Sequence, residues 1–178
     1  ILKITIAHKV IPHATHENKI HPTQSGGVPG RTAIDQAIQN INEYDYLHMS
    51  LTNAAIQYND AKACYDRLIE PQTNIALKAL GCPEEILRLH SQVLQTIKYY
   101  IKTTNGVSQE YSTHKHSPFW GAGQGACDAS ARCTATSSTM FRAYERVSKP
   151  LIATNPQHTH IHTIRIGAFV DDAKISTS

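Results

Sequence analysis

Two adjacent carboxylates, Asp171 and Asp172, are the residues whose types and spacing most clearly suggest chemistry in this chain. They interrupt the stretch Ile164–Ile175, in which apolar residues precede the pair and resume after it. Short apolar runs joined by a two-residue polar segment predict a β-hairpin. Because Asp tolerates the positive φ that tight turns often need, an ordinary Asp-Asp turn explains this pair taken alone.

A third carboxylate, Asp60, lies far upstream at the end of a similar apolar approach, in the stretch Ile56–Leu68. Two strand ends, one with Asp60 and one with the Asp pair, can bring three carboxylates to one edge of a sheet. That much negative charge favours cations, and carboxylate oxygens suit Mg²⁺ or Mn²⁺. Two such ions can hold the attacking and leaving oxygens of a phosphoryl transfer. These residues therefore predict metal-assisted phosphoryl transfer.

The length and composition fit one globular domain or one compact fragment, with a mildly basic charge. The chain has 178 residues, of which 40% are hydrophobic, and a formal net charge of +3. This length can bury a sizeable core, and the charge is compatible with nucleic acid. No apolar run approaches the ~18 residues that a membrane helix needs, and no signal-peptide pattern opens the chain. We expect an intracellular protein, in the cytoplasm or nucleus, with no membrane partner. Since the first residue is Ile1, we also expect a longer parent protein.

The cysteines show no CxxC spacing, although the chain contains four of them: Cys64, Cys82, Cys127 and Cys133. This absence argues against a zinc site or a disulfide framework. We expect ordinary small buried thiols in a reducing compartment.

The histidines, 11 in number, offer an alternative function from a different class, a His-rich metal-binding protein. His158, His160 and His162 alternate, so a strand would place them on one face. Because no acidic or Cys partner accompanies them, we favour an exposed polar strand face. The same interpretation applies to His114 and His116.

A glycine-rich loop at residues 24–30 precedes a helix predicted over residues 33–41. Thr32 and Asp35 have the spacing of a capping box. Arg31 stands at the junction, where a loop that leads into a helix could hold a phosphate. The apolar positions of this helix are Ile34, Ala37, Ile38 and Ile41.

The elements that must position the carboxylates follow in order along the chain. The pattern predicts a strand over 47–58 that delivers Asp60, helices over 69–80 and from Pro83, a small hairpin turning at Asn105-Gly106, and a helix over 126–147. This order suits an α+β fold with helices packed on one face of an antiparallel sheet.

Four stretches, taken together and in order, resemble the successive motifs of reverse transcriptases encoded by non-LTR retrotransposons. They are QSGGVPGRT, NDAKACYDRL, GAGQGACDAS and AFVDD, and the resemblance runs from about Gln24 to Asp172. It implies a right-hand polymerase fragment, with residues 1–46 as partial fingers and residues 47–178 as the palm. The thumb is expected to be missing.

The resemblance also implies an activity, a set of partners and roles for particular residues. The activity is RNA-directed DNA polymerisation, with an RNA template, a DNA primer, dNTPs and two Mg²⁺ or Mn²⁺ ions. Asp60, Asp171 and Asp172 match the catalytic, metal-binding positions. Tyr65 matches the aromatic residue that screens out a ribose 2′-hydroxyl, which is a steric means of selection. The nucleotide-binding positions implied in all are Tyr65, Gln124, Gly125 and Arg31.

Two residues depart from the family pattern and keep a second interpretation open. Val28 stands where the fingers motif usually has arginine, and Ala131 replaces a usual proline. The alternative is a catalytically inactive, truncated retroelement remnant that retains the fold. In either case, the segment that ends at Asp60 should lie beside the Asp171–Asp172 hairpin, with Asp60 on the same side as at least one of the pair.

Overall fold

The computed structural model describes residues 2–51, 53–111, 121–123, 126–154, 161–164, 166–169 and 172–177. Its helices are α1 (Leu2–Thr5), a π-helical turn (Ile6–Val10), α2 (Ile11–His16), α3 (Ala33–Met49), α4 (Cys64–Arg67), α5 (Glu70–Ala79), α6 (Glu84–Thr96) and α7 (Ala129–Val147). Its strands are β1 (Ala55–Asp60), β2 (Lys102–Thr103), β3 (Gly106–Val107), β4 (Leu151–Thr154), β5 (Ile161–Ile164), β6 (Ile166–Phe169) and β7 (Asp172–Thr177). Helices combined with antiparallel strands of this kind make an α+β fold.

The central sheet has three antiparallel strands in the order β1-β7-β6. The loop around Gln24 extends its edge, because Gln24 forms a parallel bridge with Ala168 of β6. The Ser25 amide donates to the Ala168 carbonyl at 2.8 Å, and the Ala168 amide donates to the Thr23 carbonyl at 3.1 Å. Two further ribbons, β2-β3 and β4-β5, are each two-stranded.

Helix α7 packs against one face of the central sheet. Phe141 is buried there against Ile166 and Ala168 of β6, and Ala173 and Ile175 of β7 pack at the edge of the same cluster. These strand residues alternate along the backbone, so they share one face. This contact orients the sheet on the longest helix of the described chain.

Helix α3 packs against the opposite face, so the expectation of helices on one face only is wrong. Lys174 follows Ala173 on β7 and therefore points the other way. It forms a buried salt bridge with Glu43 of α3. Gly167 of β6 lets α3 approach closely, because a Cβ there would lie 2.9 Å from the Gln36 amide nitrogen.

The main apolar core lies among the helices rather than on the sheet. It joins α2, the π-helical turn, α5, α6 and the first half of α7. Its buried members are Ile6, Val10, Ile11, Ala14, Ile20, Val28, Ala76, Leu77, Leu80, Cys82, Leu87, Ala131 and Ala135. The helices over 69–80 and from Pro83 are confirmed as α5 and α6.

Two local predictions need correction. The strand predicted over 47–58 is helical at its start, since α3 continues to Met49 and β1 begins only at Ala55. The helix persists because Glu43 and Leu47, one turn apart, both face buried neighbours. In the small hairpin, Thr103 pairs with Gly106, so residues 104–105 form the turn rather than Asn105-Gly106.

Candidate active site

Asp60 and Asp172 lie directly opposite each other in the central sheet. Asp60 is the last residue of β1, Asp172 is the first of β7, and the antiparallel register pairs them. Residues opposed in this way point to the same side, with Cβ atoms about 5 Å apart. Both are exposed. The structure thus brings together two carboxylates that are far apart in the chain, while their catalytic and metal-binding roles stay predictions.

Asp172 belongs to a strand and not to a turn, which corrects the expectation of an Asp-Asp turn. β6 ends at Phe169, which pairs with Asp172, so this aspartate is held between β1 and β6. The β1–β7 ladder pairs residues along the whole of both strands, and such a ladder determines which residue faces which. Asp171, the other candidate of the pair, lies outside the described residues.

A buried ion pair lies next to Asp172 on the same face. Lys174 is two residues further along β7, and its ammonium contacts the Glu43 carboxylate of α3. Burial lowers the pKa of Lys174 to about 8. The pair closes the inner part of this face, and the end that carries the two aspartates stays exposed to solvent.

A tyrosine pair occupies the equivalent position beside Asp60. Tyr58 precedes Asp60 by two residues on β1, and its hydroxyl is hydrogen-bonded to that of Tyr44 on α3. Burial and this hydrogen bond raise the pKa of Tyr58 to about 12. Tyr58 and Lys174 are themselves opposed in the β1–β7 register. This pair of opposed residues contacts α3, and the next pair on the same face of the sheet is Asp60 and Asp172.

The donor set at the strand ends fits a hard divalent cation. Two opposed carboxylates repel each other unless a cation or proton neutralises them. Carboxylate oxygens are the ligands that Mg²⁺ and Mn²⁺ prefer. Within the described ranges, His, Cys, Asp and Glu residues form no group of three or more that could hold a metal. Asp60 and Asp172 would supply two ligands to such an ion, a role that stays a prediction, and the third predicted ligand, Asp171, lies outside the described residues.

Tyr65 lies on α4, the short helix that follows β1. It is half-buried and packs in a cluster with Leu68, Ala122 and Ala129. The Ala122 amide donates to the Tyr65 carbonyl at 2.7 Å, and the Gly121 amide donates to the Leu68 carbonyl at 2.8 Å. The loop that leads towards Gln124 and Gly125 is thereby fixed on α4, although these two candidates lie outside the described residues.

Gly121 makes the contact between this loop and α4 possible. Its φ is +92°, and a Cβ would lie 2.8 Å from the Asp66 Cα and 2.9 Å from the Tyr65 carbonyl oxygen. Those neighbours are backbone atoms, which cannot move aside as a flexible side chain can. Glycine is therefore required here on both conformational and steric grounds.

Arg31 braces the loop that precedes it. Its Nη1 donates to the carbonyls of Pro22 at 2.8 Å and Gln24 at 2.6 Å. The side chain thus fixes the segment that pairs with β6. A phosphate contact by Arg31 stays a prediction, and it would have to use the other guanidinium nitrogens or replace these bonds.

The glycine-rich loop at residues 24–30 docks on α7. The Thr134 hydroxyl donates to the Gly26 carbonyl at 2.9 Å, and the Gln24 amide nitrogen donates to the Ser137 hydroxyl at 2.7 Å. Gly27 has φ +68°, and a Cβ there would lie 2.4 Å from the Ser130 hydroxyl. Three of the four stretches that carry the family resemblance therefore meet around α7 and β6.

The two departures from the family pattern are both buried. Val28 belongs to the main apolar core, where a charged arginine could not be accommodated without a partner. Ala131 lies in the first turn of α7 and in the same core. Both positions therefore contribute to the apolar core.

A cavity of about 520 Å³ lies between α4, α5, α7 and the sheet face that α7 covers. Residues at the end of β1 and in the following loop border it, namely Asn59 and Lys62. Its other walls include Cys64, Cys133 and Phe141. This space is on the opposite side of the sheet from α3.

Sequence reasoning missed a buried polar cluster near the start of α7. His90 Nε2 lies 3.0 Å from Asp128 Oδ2, and both side chains are fully buried. Arg132 is also fully buried, and burial lowers its pKa although the charges of Asp128 and Glu70 oppose this. The available signal was the spacing of His90 with Leu87 and Leu94, which places it on the apolar face of α6.

The cysteines differ from their predicted uniform burial. Cys82 and Cys133 are buried, whereas Cys64 is half-buried and Cys127 is exposed. The Sγ atoms of Cys64 and Cys133 lie only 2.9 Å apart. Spacing in the sequence could not reveal this pair, because its members come from α4 and α7.

The His-rich alternative falls mostly on residues that the structure does not describe. His158, His160, His114 and His116 lie outside the described residues, and for His162 only its place in β5 is described. In the described part of the chain, no helix is both long and apolar enough to cross a membrane.

Comparisons with known proteins support the fold rather than a family. No protein-family model matches the chain, and no curated protein matches it by sequence. Among solved structures, the chain is similar to a telomerase from Candida albicans, determined in complex with a TWJ fragment of telomeric RNA. The TM-score is 0.57 at 14% sequence identity.

The match covers 99% of this chain and 30% of the telomerase chain. The α+β arrangement described above is therefore the fold of one part of that larger protein. At this identity the likeness concerns the fold alone.

Proposed function

We propose that this chain is the fingers–palm part of an RNA-directed DNA polymerase of retrotransposon type. The observation that carries the proposal is the register of β1 and β7, which opposes Asp60 and Asp172 at exposed strand ends. The fold shared with part of a telomerase, a polymerase related to reverse transcriptases, supports it. So does the packing of the glycine-rich loop, β6 and α7 against one another.

In this proposal Asp60, Asp171 and Asp172 hold two Mg²⁺ or Mn²⁺ ions. Such ions, when bound, lower the pKa of the primer 3′-hydroxyl and neutralise charge that develops on the α-phosphate. The oxygen of the 3′-hydroxyl forms a bond to the α-phosphorus, the bond to pyrophosphate breaks, and the hydroxyl proton passes to solvent. The contribution of the protein is to position these groups in line.

The neighbouring residues have supporting roles in the same proposal. Lys174 and Glu43 neutralise each other beneath the site, so the sheet stays rigid without adding net charge beside the aspartates. Tyr65 screens the sugar of the incoming nucleotide, and Gln124 with Gly125 lies against the nucleotide and template. Arg31 braces the loop that pairs with β6 and contacts phosphate from the fingers side.

The test is single-nucleotide addition to a DNA primer annealed to RNA, with Mg²⁺ or Mn²⁺ and a high concentration of duplex. We expect Asp60→Asn and Asp172→Asn each to reduce the rate by roughly 1,000-fold or more, because each removes a metal ligand while its shape is kept. Asp45→Asn, a change of an exposed aspartate on α3, is the matched control and should retain the parent rate. Equal rates for Asp60→Asn and Asp45→Asn would contradict the assignment.

A catalytically inactive relative that retains the fold is the second candidate. Burial of Val28 in the apolar core favours it, because the chain lacks an arginine at that place in the fingers motif. The distinguishing result is metal binding at Asp60 and Asp172 without nucleotide addition in the same assay.

A further inference from the structure

Cys64 and Cys133 form a close pair of thiols that the polymerase proposal does not use. Cys64 is the first residue of α4, and Cys133 lies in the second turn of α7. Their sulfur atoms are 2.9 Å apart. A disulfide bond has an S–S length of about 2.05 Å, so a movement of roughly 0.9 Å would bring the two sulfurs to bonding distance.

The surroundings of the pair allow a small oxidant to reach it. Cys64 is half-buried and Cys133 is buried, and both line the cavity of about 520 Å³ between α4, α5 and α7. Lys62 and Arg67 line the same cavity. The thiolate is the form of cysteine that reacts with oxidants.

The other two cysteines provide an internal comparison. Cys82 is buried in the main apolar core, and burial raises the pKa of its thiol. Cys127 is exposed. A reaction governed only by exposure would therefore select Cys127, whereas a reaction governed by proximity of two thiols would select Cys64 and Cys133.

We propose that Cys64 and Cys133 are a redox modification site at which a hydroperoxide drives formation of a reversible disulfide. The Cys64 thiolate attacks the terminal peroxide oxygen, which gives a sulfenic acid and releases water when the oxidant is H₂O₂. The Cys133 sulfur then attacks the sulfenic sulfur, the S–S bond forms, and a second water leaves. In sum, two thiols and one H₂O₂ give one disulfide and two water molecules, so the thiols are oxidised and the peroxide is reduced.

The disulfide would tie α4 to α7. Because α4 begins four residues after Asp60, the bond would restrain the segment that connects the end of β1 to α4. Intracellular disulfides are in general transient and redox-sensing, in agreement with a reversible modification at this place. The chemistry does not depend on the proposed polymerase function.

The test treats the 178-residue chain with H₂O₂, blocks the remaining thiols, and analyses the intact mass and the peptide map. We expect the chain to lose two hydrogen atoms, to yield a peptide that links Cys64 to Cys133, and to return to its original mass with a dithiol reductant. Cys82→Ser and Cys127→Ser should behave as the parent does. Cys64→Ser, Cys133→Ser and Cys133→Ala should not form the intramolecular link, and circular dichroism would establish that they are folded.

Several results would overturn this proposal. One is a disulfide that uses Cys127 in preference to Cys133. Another is oxidation of Cys64 to sulfinic or sulfonic acid in the parent without any link to Cys133. A third is an undiminished loss of two hydrogens in folded Cys133→Ser.

Discussion

At the scale of single residues, the buried salt bridge between Glu43 and Lys174 connects α3 to the sheet. We expect Lys174→Met to lower the free energy of unfolding by roughly 3 kcal/mol, because it leaves the Glu43 carboxylate buried without its partner. The double variant Glu43→Leu with Lys174→Met should lose much less, since no charge stays buried. Urea unfolding of the parent, the single variant and the double variant measures both. A double variant that loses as much stability as Lys174→Met, or more, would contradict this account of the pair.

A second residue-scale prediction concerns Asp128 in the cluster with His90. Burial by itself would raise the pKa of this carboxyl, but the His90 hydrogen bond and the charges of Lys3 and Arg132 outweigh it and lower the pKa below its ordinary value. A lowered folded-state pKa means that the charged form contributes stability above the unfolded value, which is about 3.9, and that this contribution is lost as the pH falls through the folded value.

A comparison of the parent with Asp128→Asn tests whether the charge of Asp128 contributes to stability. The parent should be the more stable at pH 6, and the difference in free energy of unfolding should shrink as the pH falls below about 4. Chemical denaturation at a series of pH values measures the difference. A difference that is constant from pH 6 down to pH 3 would show that the Asp128 charge is not the source of the stability.

Tyr65 is the residue for which the proposed function makes its sharpest claim about selectivity. If its ring excludes a 2′-hydroxyl, Tyr65→Ala should raise incorporation of ribonucleotides relative to deoxyribonucleotides by roughly tenfold or more. Tyr65→Phe keeps the ring and should discriminate as the parent does. Unchanged discrimination in Tyr65→Ala would leave Tyr65 with its packing role beside Leu68 and Ala122.

At the scale of elements, the contact between α4 and the loop at residues 121–123 depends on Gly121. We expect Gly121→Ala to lower the free energy of unfolding by roughly 3 kcal/mol, since its Cβ would meet the backbone of Tyr65 and Asp66. Gly123→Ala is the matched control, because its φ is also positive but a Cβ there meets nothing within 4 Å. It should cost about 1 kcal/mol. Thermal or urea unfolding measures both variants. Equal losses of unfolding free energy in Gly121→Ala and Gly123→Ala would mean that the close approach of Gly121 to α4 does not contribute to stability.

Elements whose signals are local could be predicted from the sequence. The capping box of α3 is present, since the Asp35 amide donates to the Thr32 hydroxyl at 3.2 Å and the Thr32 amide donates to the Asp35 carboxylate at 2.7 Å. The glycine at position 81 and the proline at position 83 bracket the boundary between α5 and α6 as expected. Such signals act within one turn of chain, so one sequence suffices to detect them.

The orientation of α3 could not be predicted, because it depends on a partner from another segment. Ile34, Ile38 and Ile41 form the apolar stripe that periodicity would bury, yet they are 69%, 51% and 57% exposed. Gln36 and Glu43 face the sheet instead, because Gly167 leaves room for one and Lys174 neutralises the other. A hydrophobic pattern indicates which face of a helix can be buried. A buried ion pair can be recognised only when the positions of both partners are known.

At the scale of the whole molecule, the sequence predicted that the segments with Asp60 and Asp172 lie side by side, but not which residues pair. Asp60 and Asp172 adjoin as the carboxylate pattern suggested, yet the register that makes Asp172 a strand residue arises from the complete β1–β7 ladder. The pairing of Cys64 with Cys133 likewise depends on how α4 docks on α7. Contacts between residues that are far apart in the chain cannot be detected from local hydrophobic periodicity.

The central claim is that Asp60 and Asp172 act together on the same metal ion, and Mn²⁺ binding followed by electron paramagnetic resonance tests it most directly. We expect Asp60→Asn and Asp172→Asn each to weaken binding by roughly tenfold or more, and the double variant to lose little beyond either one, because residues that share an ion are not additive. Asp45→Asn should bind as the parent does. Unchanged Mn²⁺ affinity in both Asp60→Asn and Asp172→Asn would contradict the claim.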